Sequence, residues 1–268
     1  MKQIPNIVTL LNLFFGCIAI VFALQTESVI INVNEAFDST FVIPEKLTWA
    51  ALCIGIAAII DFLDGFVARL FNASSELGKQ LDSLSDVVSF GVAPGVILYQ
   101  LLRFSFMREE SGLDTSLLWL LPAFIVSCAA AYRLAKFNID SRQQYNFKGV
   151  PTPAIGLLVA SFPLIIHYNA QNYWNSNPAF NKTMMWMASL FINKWFLYGV
   201  ILVLSYLMLS NLPVMGLKFT DFKLKSNMPK LILLIVAITA ALLLHWLAVP
   251  VIFICYILLS LLYQNKIA

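Results

Sequence analysis

Four aspartates define the chemistry open to this chain. Asp61, Asp64, Asp82 and Asp86 fall within the stretch DFLDGFVARLFNASSELGKQLDSLSD, with Gly65, Ala68, Arg69 and Gly78 between them. On a helix, Asp61, Asp64, Gly65 and Ala68 are offset by three, four and seven residues and share one face. Gly78, Asp82 and Asp86 are offset by four and eight and share another. The linker from Leu70 to Leu77 can bring the two faces together. Four carboxylates facing one another repel unless cations lie between them. Ligands that are all oxygen favour Mg²⁺, Mn²⁺ or Ca²⁺ over zinc. Two such ions clamping a pyrophosphate suit displacement at phosphorus. Gly65 and Ala68 keep the helix face bare for a bulky ligand, and Arg69 can pair with a phosphate.

The elements that must hold these residues are apolar. The chain has 268 residues, is 60% hydrophobic and only 12% charged; about a quarter of the residues of a soluble domain are charged. A polytopic all-α membrane protein is the expectation. Apolar runs place helices over Ile7–Leu24, Leu47 into Asp61, Lys79–Leu102, Ser116–Phe137, the Pro151/Pro153 pair to Tyr168, and Trp195–Leu212. Leu231 to Gln264 would be about 51 Å long as one helix, too long for a bilayer, so two short helices turning near Trp246–Pro250 are expected. That makes about eight transmembrane helices in a single integral membrane domain: a six-helix core over 1–212, then a basic loop and C-terminal hairpin over 213–268. The four cysteines lie apart in apolar runs and read as small core side chains. No Lys/Arg block suggests nucleic acid.

Charge sets the orientation. With the N-terminus inside, the inner segments hold twelve Lys/Arg and the outer ones five. That bias puts both termini and the aspartate stretch on the cytoplasmic side, in a cell membrane. Fourteen uncharged residues separate Lys46 from Asp61, a rise of about 21 Å against a hydrocarbon core of about 30 Å. Sixteen separate Asp86 from Arg103, about 24 Å. Both ends of the acidic stretch are thus expected within the inner leaflet, in a water-accessible pocket at the depth of a lipid phosphate. His167 and His245 fall near the outer ends of their helices and read as interfacial. The sequon Asn181-Lys182-Thr183 falls on an outer loop.

The pattern Asp61-x-x-Asp64-Gly65-x-x-Ala68-Arg69, eight residues, Gly78, three, Asp82, three, Asp86 resembles the full signature of the CDP-alcohol phosphatidyltransferases. The resemblance implies a six-helix integral membrane enzyme, usually a homodimer, that uses two divalent cations to displace CMP from a CDP-linked lipid with an alcohol. It makes Asp61, Asp64, Asp82 and Asp86 metal ligands, with Asp86 also the general base. It makes Gly65, Ala68 and Gly78 the lining of the CDP pocket and Arg69 a phosphate partner. Asn6, Thr9 and Asn12 are spaced by three on the first helix, which in this family borders that pocket. Asn6 and Thr9 are taken as CDP-binding, although polar groups at that spacing also bond neighbouring helices.

The motif does not choose the alcohol. PNIVTLLNLFFG, SDVVSFGVAPG, AAYRLAKFNID and FKGVPTPA together resemble the bacterial and archaeal phosphatidylserine synthase branch of the family. CDP-diacylglycerol and L-serine are then the expected substrates, with glycerol 3-phosphate, an inositol phosphate or choline as alternative acceptors. Arg133, Lys136, Lys148 and Ser89 are the candidate serine-binding residues, because a guanidinium can hold a carboxylate bidentately. Positive-inside anchoring is the competing explanation for the three cations. A cation-coupled transporter would spread its acids across the membrane depth, whereas these all lie on one side.

Overall fold

The computed structural model describes residues 4–25, 44–70, 75–107, 114–139, 147–173, 189–216 and 224–263. The sequon, Asn181-Lys182-Thr183, lies outside them. Helix α1 spans Ile4–Leu24 and α2 Glu45–Leu70. A continuous rod follows: α3 (Glu76–Asp86), a π-helical stretch (Val87–Val92) and α4 (Ala93–Met107). Two 3-10 turns, Leu117–Trp119 and Leu121–Phe124, lead into α5 (Ile125–Ile139). Then come α6 (Thr152–Tyr173), α7 (Lys194–Leu209), α8 (Leu224–Leu244) and α9 (Ala248–Leu262). The protein is an all-α polytopic membrane protein; among the described residues, five runs are long and apolar enough to cross a bilayer and two further apolar helices are shorter. In lipid the backbone must satisfy its own hydrogen bonds, which is why helices dominate.

Local chemistry explains most boundaries. Ser75 accepts a hydrogen bond from the Gly78 N–H and starts α3 at Glu76, three residues before the expected Lys79. Pro122 explains why the expected helix from Ser116 begins as 3-10 turns and becomes α only at Ile125. Helix α6 runs to Tyr173, beyond the expected end at Tyr168. The long C-terminal run breaks at His245–Leu247, where His245 has φ +49°, close to the expected turn. His245 and Tyr168 pack ring to ring at 4.9 Å, so the ends of α6 and α8 meet there. All four cysteines are free thiols.

The core sits where α1 packs along α2, and where the α3–α4 rod crosses α1, α5 and α6. Polar side chains tie that rod to α1. The Ser85, Ser89 and Gln100 side chains donate to the carbonyls of Thr9, Asn12 and Ala23 at 3.0, 3.0 and 2.8 Å. Gly16 lets the rod come close, because a Cβ there would collide with Ser89. This is small-residue packing reinforced by interhelical hydrogen bonds.

A two-residue antiparallel ribbon closes one end of the helices. β1 (Phe147–Lys148) pairs with β2 (Pro213–Val214), with Phe147 opposite Val214 and Lys148 opposite Pro213. Gly149 follows with φ +76°, and its N–H donates to the Leu212 carbonyl at 2.8 Å. A Cβ at Gly149 would stand 2.5 Å from the Met208 carbonyl oxygen and 2.9 Å from that of Ser210. Gly149→Ala is therefore expected to destabilise the protein by at least the ~1–2 kcal/mol that a left-handed backbone costs an L-residue. A thermal melt in detergent should show a drop of several degrees; an unchanged melt would contradict this geometry.

Candidate metal and substrate site

Helix α2 carries Asp61 and Asp64 one turn apart, and α3 carries Asp82. Their carboxylate oxygens lie within 4.8 Å of one another, and Asp64 is buried. Asp82 Oδ1 is buried with no hydrogen-bond partner. Carboxylates at that separation repel by about 3 kcal/mol per ionised pair at an effective dielectric constant near 20. A buried carboxylate oxygen without a donor adds a desolvation cost. Both features fit a hard divalent cation held by oxygen ligands. The three-aspartate cluster can therefore hold a metal ion.

Asp86 stands apart from that cluster. It ends α3, one turn beyond Asp82, and is buried. The Asn12 carboxamide donates to its Oδ1 at 3.2 Å, and Asp86 remains within electrostatic reach of the other three aspartates. Its backbone is the last of the α-helical winding. Pro94 offers no N–H to the Phe90 carbonyl, and the Ala93 N–H reaches back five residues to Val88. A π stretch beside a functional residue is a recurrent association.

The first helix serves the site differently from expectation. Thr9 was expected to face the nucleotide, but its hydroxyl donates to Asp64 Oδ2 at 2.9 Å, with the Pro5 carbonyl as alternative acceptor. Thr9 thus orients a carboxylate. Asn6 lies against Gly78: its Oδ1 would be 3.1 Å from a Cβ there, as would Ser75 Oγ. The missing side chain of Gly78 makes room for Asn6. Gly65 faces open space, with nothing within 4 Å of an added Cβ, which leaves the bare approach expected of it. The side chains of Ala68 and Arg69 lie outside the described residues. Asn12 is the residue sequence reasoning undervalued. The signal was a polar residue three positions after Thr9 in an apolar helix, but its partner is 74 positions away.

The candidate acceptor residues separate into distinct groups. Arg133 and Lys136 line a small open cleft between the ends of α5 and α7, together with Met208, Ser210 and Asn211. Arg133 Nη2 donates to the Gly149 carbonyl at 3.3 Å and Nη1 to Thr152 at 3.5 Å, while Nε is buried without a partner. Arg133 is also within electrostatic reach of Asp86. Its donors are only loosely engaged, and it can take an anion. Ser89 does not belong to this group. It is fully buried, packed into Gly16 of α1, and its hydroxyl is engaged by the Asn12 carbonyl. The backbone of Lys148 lies in β1, and its side chain lies outside the described residues. Asn138 is tied to α3, donating to Ser83 Oγ at 2.9 Å.

Fold and site together define a polytopic membrane protein with a three-aspartate cluster, able to hold a cation, where α2 meets α3. Residues 2–195 match the pattern of a family described as CDP-alcohol phosphatidyltransferase, and the chain belongs to that family. Similar curated proteins carry related names. A CDP-diacylglycerol–serine O-phosphatidyltransferase of Helicobacter pylori is 33% identical over 223 residues, covering 82% of this chain and 75% of its own. One of Bacillus subtilis is 32% identical over 170 residues, covering 60% of this chain and 77% of its own. An archaetidylserine synthase of Methanothermobacter thermautotrophicus is 30% identical over 142 residues, covering 52% and 57%.

Proposed function

We propose that the protein transfers the phosphatidyl group of CDP-diacylglycerol to the hydroxyl of L-serine, releasing CMP. The observation that carries this reading is the division of the four aspartates into two environments. Three carboxylates converge within 4.8 Å, and the fourth, one turn beyond and within electrostatic reach of them, accepts a hydrogen bond from Asn12. The three suit cation binding, and the fourth suits proton transfer. Asp61, Asp64 and Asp82, with Asp86 one turn beyond, would hold two divalent cations, Mg²⁺ or Mn²⁺, with Ca²⁺ also compatible with the donor set. Bound there, the cations would offset charge on the transferred group and on the departing CMP.

The remaining steps belong to side chains of this chain. Asp86 accepts the serine hydroxyl proton as the oxygen bonds to the lipid-linked phosphorus, and the bond from that phosphorus to the bridging oxygen of CMP breaks. Arg133 holds the serine carboxylate, and the exposed Lys136 lies at the rim. The C-terminal end of α7 borders the same cleft, and its partial negative charge suits the serine ammonium. Gly65, Ala68, Arg69, Gly78 and Asn6 form the CDP side. Serine as acceptor is supported by the names of the relatives, in which serine recurs while the lipid differs. The positive-inside bias supports an active site and both termini at the cytoplasmic face of the cell membrane. Residues 1–212 form the catalytic core, 213–268 an added hairpin, and the assembly is a homodimer, as the family resemblance implies.

The test is an acceptor panel. Purified protein with CDP-diacylglycerol and Mn²⁺ should release CMP and form a serine lipid with L-serine, and not with glycerol 3-phosphate, an inositol phosphate or choline. Chelating the metal should stop CMP release, and re-adding Mg²⁺ or Mn²⁺ should restore it. Product from another alcohol but not from serine would overturn the acceptor. Serine-independent ion flux in vesicles without CMP release would overturn the enzyme.

A further inference from the structure

The family pattern ends at residue 195, and the last helix packs back against the segment at β2. Its contact is specific and polar. The Tyr256 hydroxyl donates to the Met215 carbonyl at 3.0 Å. The Met215 N–H donates to Ser260 Oγ at 3.2 Å, and the Ser260 hydroxyl donates to the Tyr256 carbonyl at 2.7 Å. Both backbone groups of Met215 are thus satisfied by one helix. All three residues are buried, where water cannot substitute.

Met215 directly follows β2, whose partner strand β1 leads into Gly149. The Gly149 N–H is held by the Leu212 carbonyl, and the Gly149 carbonyl accepts from Arg133. Arg133 and Tyr256 are also within electrostatic reach of each other. We infer that Tyr256 and Ser260 are positioning residues for the acceptor pocket: by fixing both backbone groups of Met215 they hold the β1–β2 ribbon, and the ribbon holds the Arg133 guanidinium. This inference rests on Arg133 receiving the acceptor carboxylate.

Packing alone does not require this arrangement. Helix α9 has apolar side chains to set against α6 and α8. It nevertheless sends two hydroxyls to a single residue 41 and 45 positions upstream. A two-residue ribbon has little stability of its own, so its placement depends on what braces it. Arg133 makes only long hydrogen bonds, so a small ribbon shift changes where its free N–H points.

The experiment compares full-length wild type, Tyr256→Phe, Ser260→Ala and Ser260→Thr in detergent–lipid micelles with CDP-diacylglycerol and L-serine. Loss of one such buried hydrogen bond should raise the KM for serine about tenfold in Tyr256→Phe and in Ser260→Ala. The KM for CDP-diacylglycerol, and kcat at saturating serine, should stay within about twofold, and melting temperatures should fall by no more than the few degrees that one buried hydrogen bond is worth. Ser260→Thr keeps the hydroxyl and should return the serine KM to near wild type. An unchanged serine KM in both hydroxyl-removing variants would overturn the inference. So would equal rises in both KM values, or activity lost only in proportion to unfolded protein. Should the wild type use another acceptor, the reading of the reaction fails by itself, and the hairpin is then judged by whether the KM for that acceptor moves.

Discussion

Replacing Asp82 or Asp86 with asparagine should reduce turnover by about a thousandfold or more, the loss typical of deleting a catalytic acid–base or charge-stabilising group. Asparagine keeps the size of the side chain, so the fold should persist. The two variants should then differ in a second measurement. In metal-free detergent, Asp82→Asn removes one member of a cluster whose oxygens lie within 4.8 Å, along with repulsion of about 3 kcal/mol per ionised pair. Its melting temperature should rise above wild type while activity disappears. Added Mg²⁺ or Mn²⁺ should raise the melting temperature of wild type, because a ligand that binds only the folded state stabilises it. The same addition should do less for Asp82→Asn. Asp86→Asn should retain more of the metal-induced shift, because Asp86 lies outside the three-carboxylate group. Retained turnover in either variant would contradict its role. Loss of the metal shift in Asp86→Asn would make that residue a ligand as essential as Asp82.

The second large effect concerns Arg133. Arg133→Ala should reduce kcat/KM for serine about a hundredfold, the loss expected when a charge-assisted, bidentate contact is removed. Arg133→Lys should recover only part of it, because an ammonium cannot reproduce the planar fork. The decisive control is ethanolamine, which is serine without its carboxylate. Wild type should strongly prefer serine, and Arg133→Ala should lose most of that preference because the discriminating contact is gone. An equal fall for both alcohols would mean that Arg133 acts on the structure and not on the carboxylate. The KM for CDP-diacylglycerol should move little in either variant.

How far the sequence reaches can be judged residue by residue. The spans were legible because charges and prolines interrupt long apolar runs, and the break near His245 followed from length alone. Asp61, Asp64 and Asp82 were legible because helical periodicity is local. The setting of Asp86 was not, because it depends on Asn12 across 74 positions. Thr9 looked like a ligand for nucleotide and is a partner of Asp64, since a polar residue in an apolar helix has the same appearance in either role. Ser89 showed the same ambiguity and resolved as packing against Gly16. The ribbon was invisible because two residues carry no periodicity. Arg133 was legible as a cation at a helix end, but its unpartnered Nε depends on which groups surround it.

The π stretch has a consequence for length. Each residue of an α-helix turns the chain by about 100°. Deleting any one residue between Val87 and Val92 would let the rod return to ordinary winding. Because a π turn holds more residues than an α turn, that single deletion would leave Asp82 and Asp86 near their present bearing on the face that α4 buries, whereas deleting a second residue would rotate them by about 100°. The stretch from Asp86 to Pro94 therefore carries one residue in reserve: losing it removes the local widening beside Asp86 and spares the aim of the carboxylates.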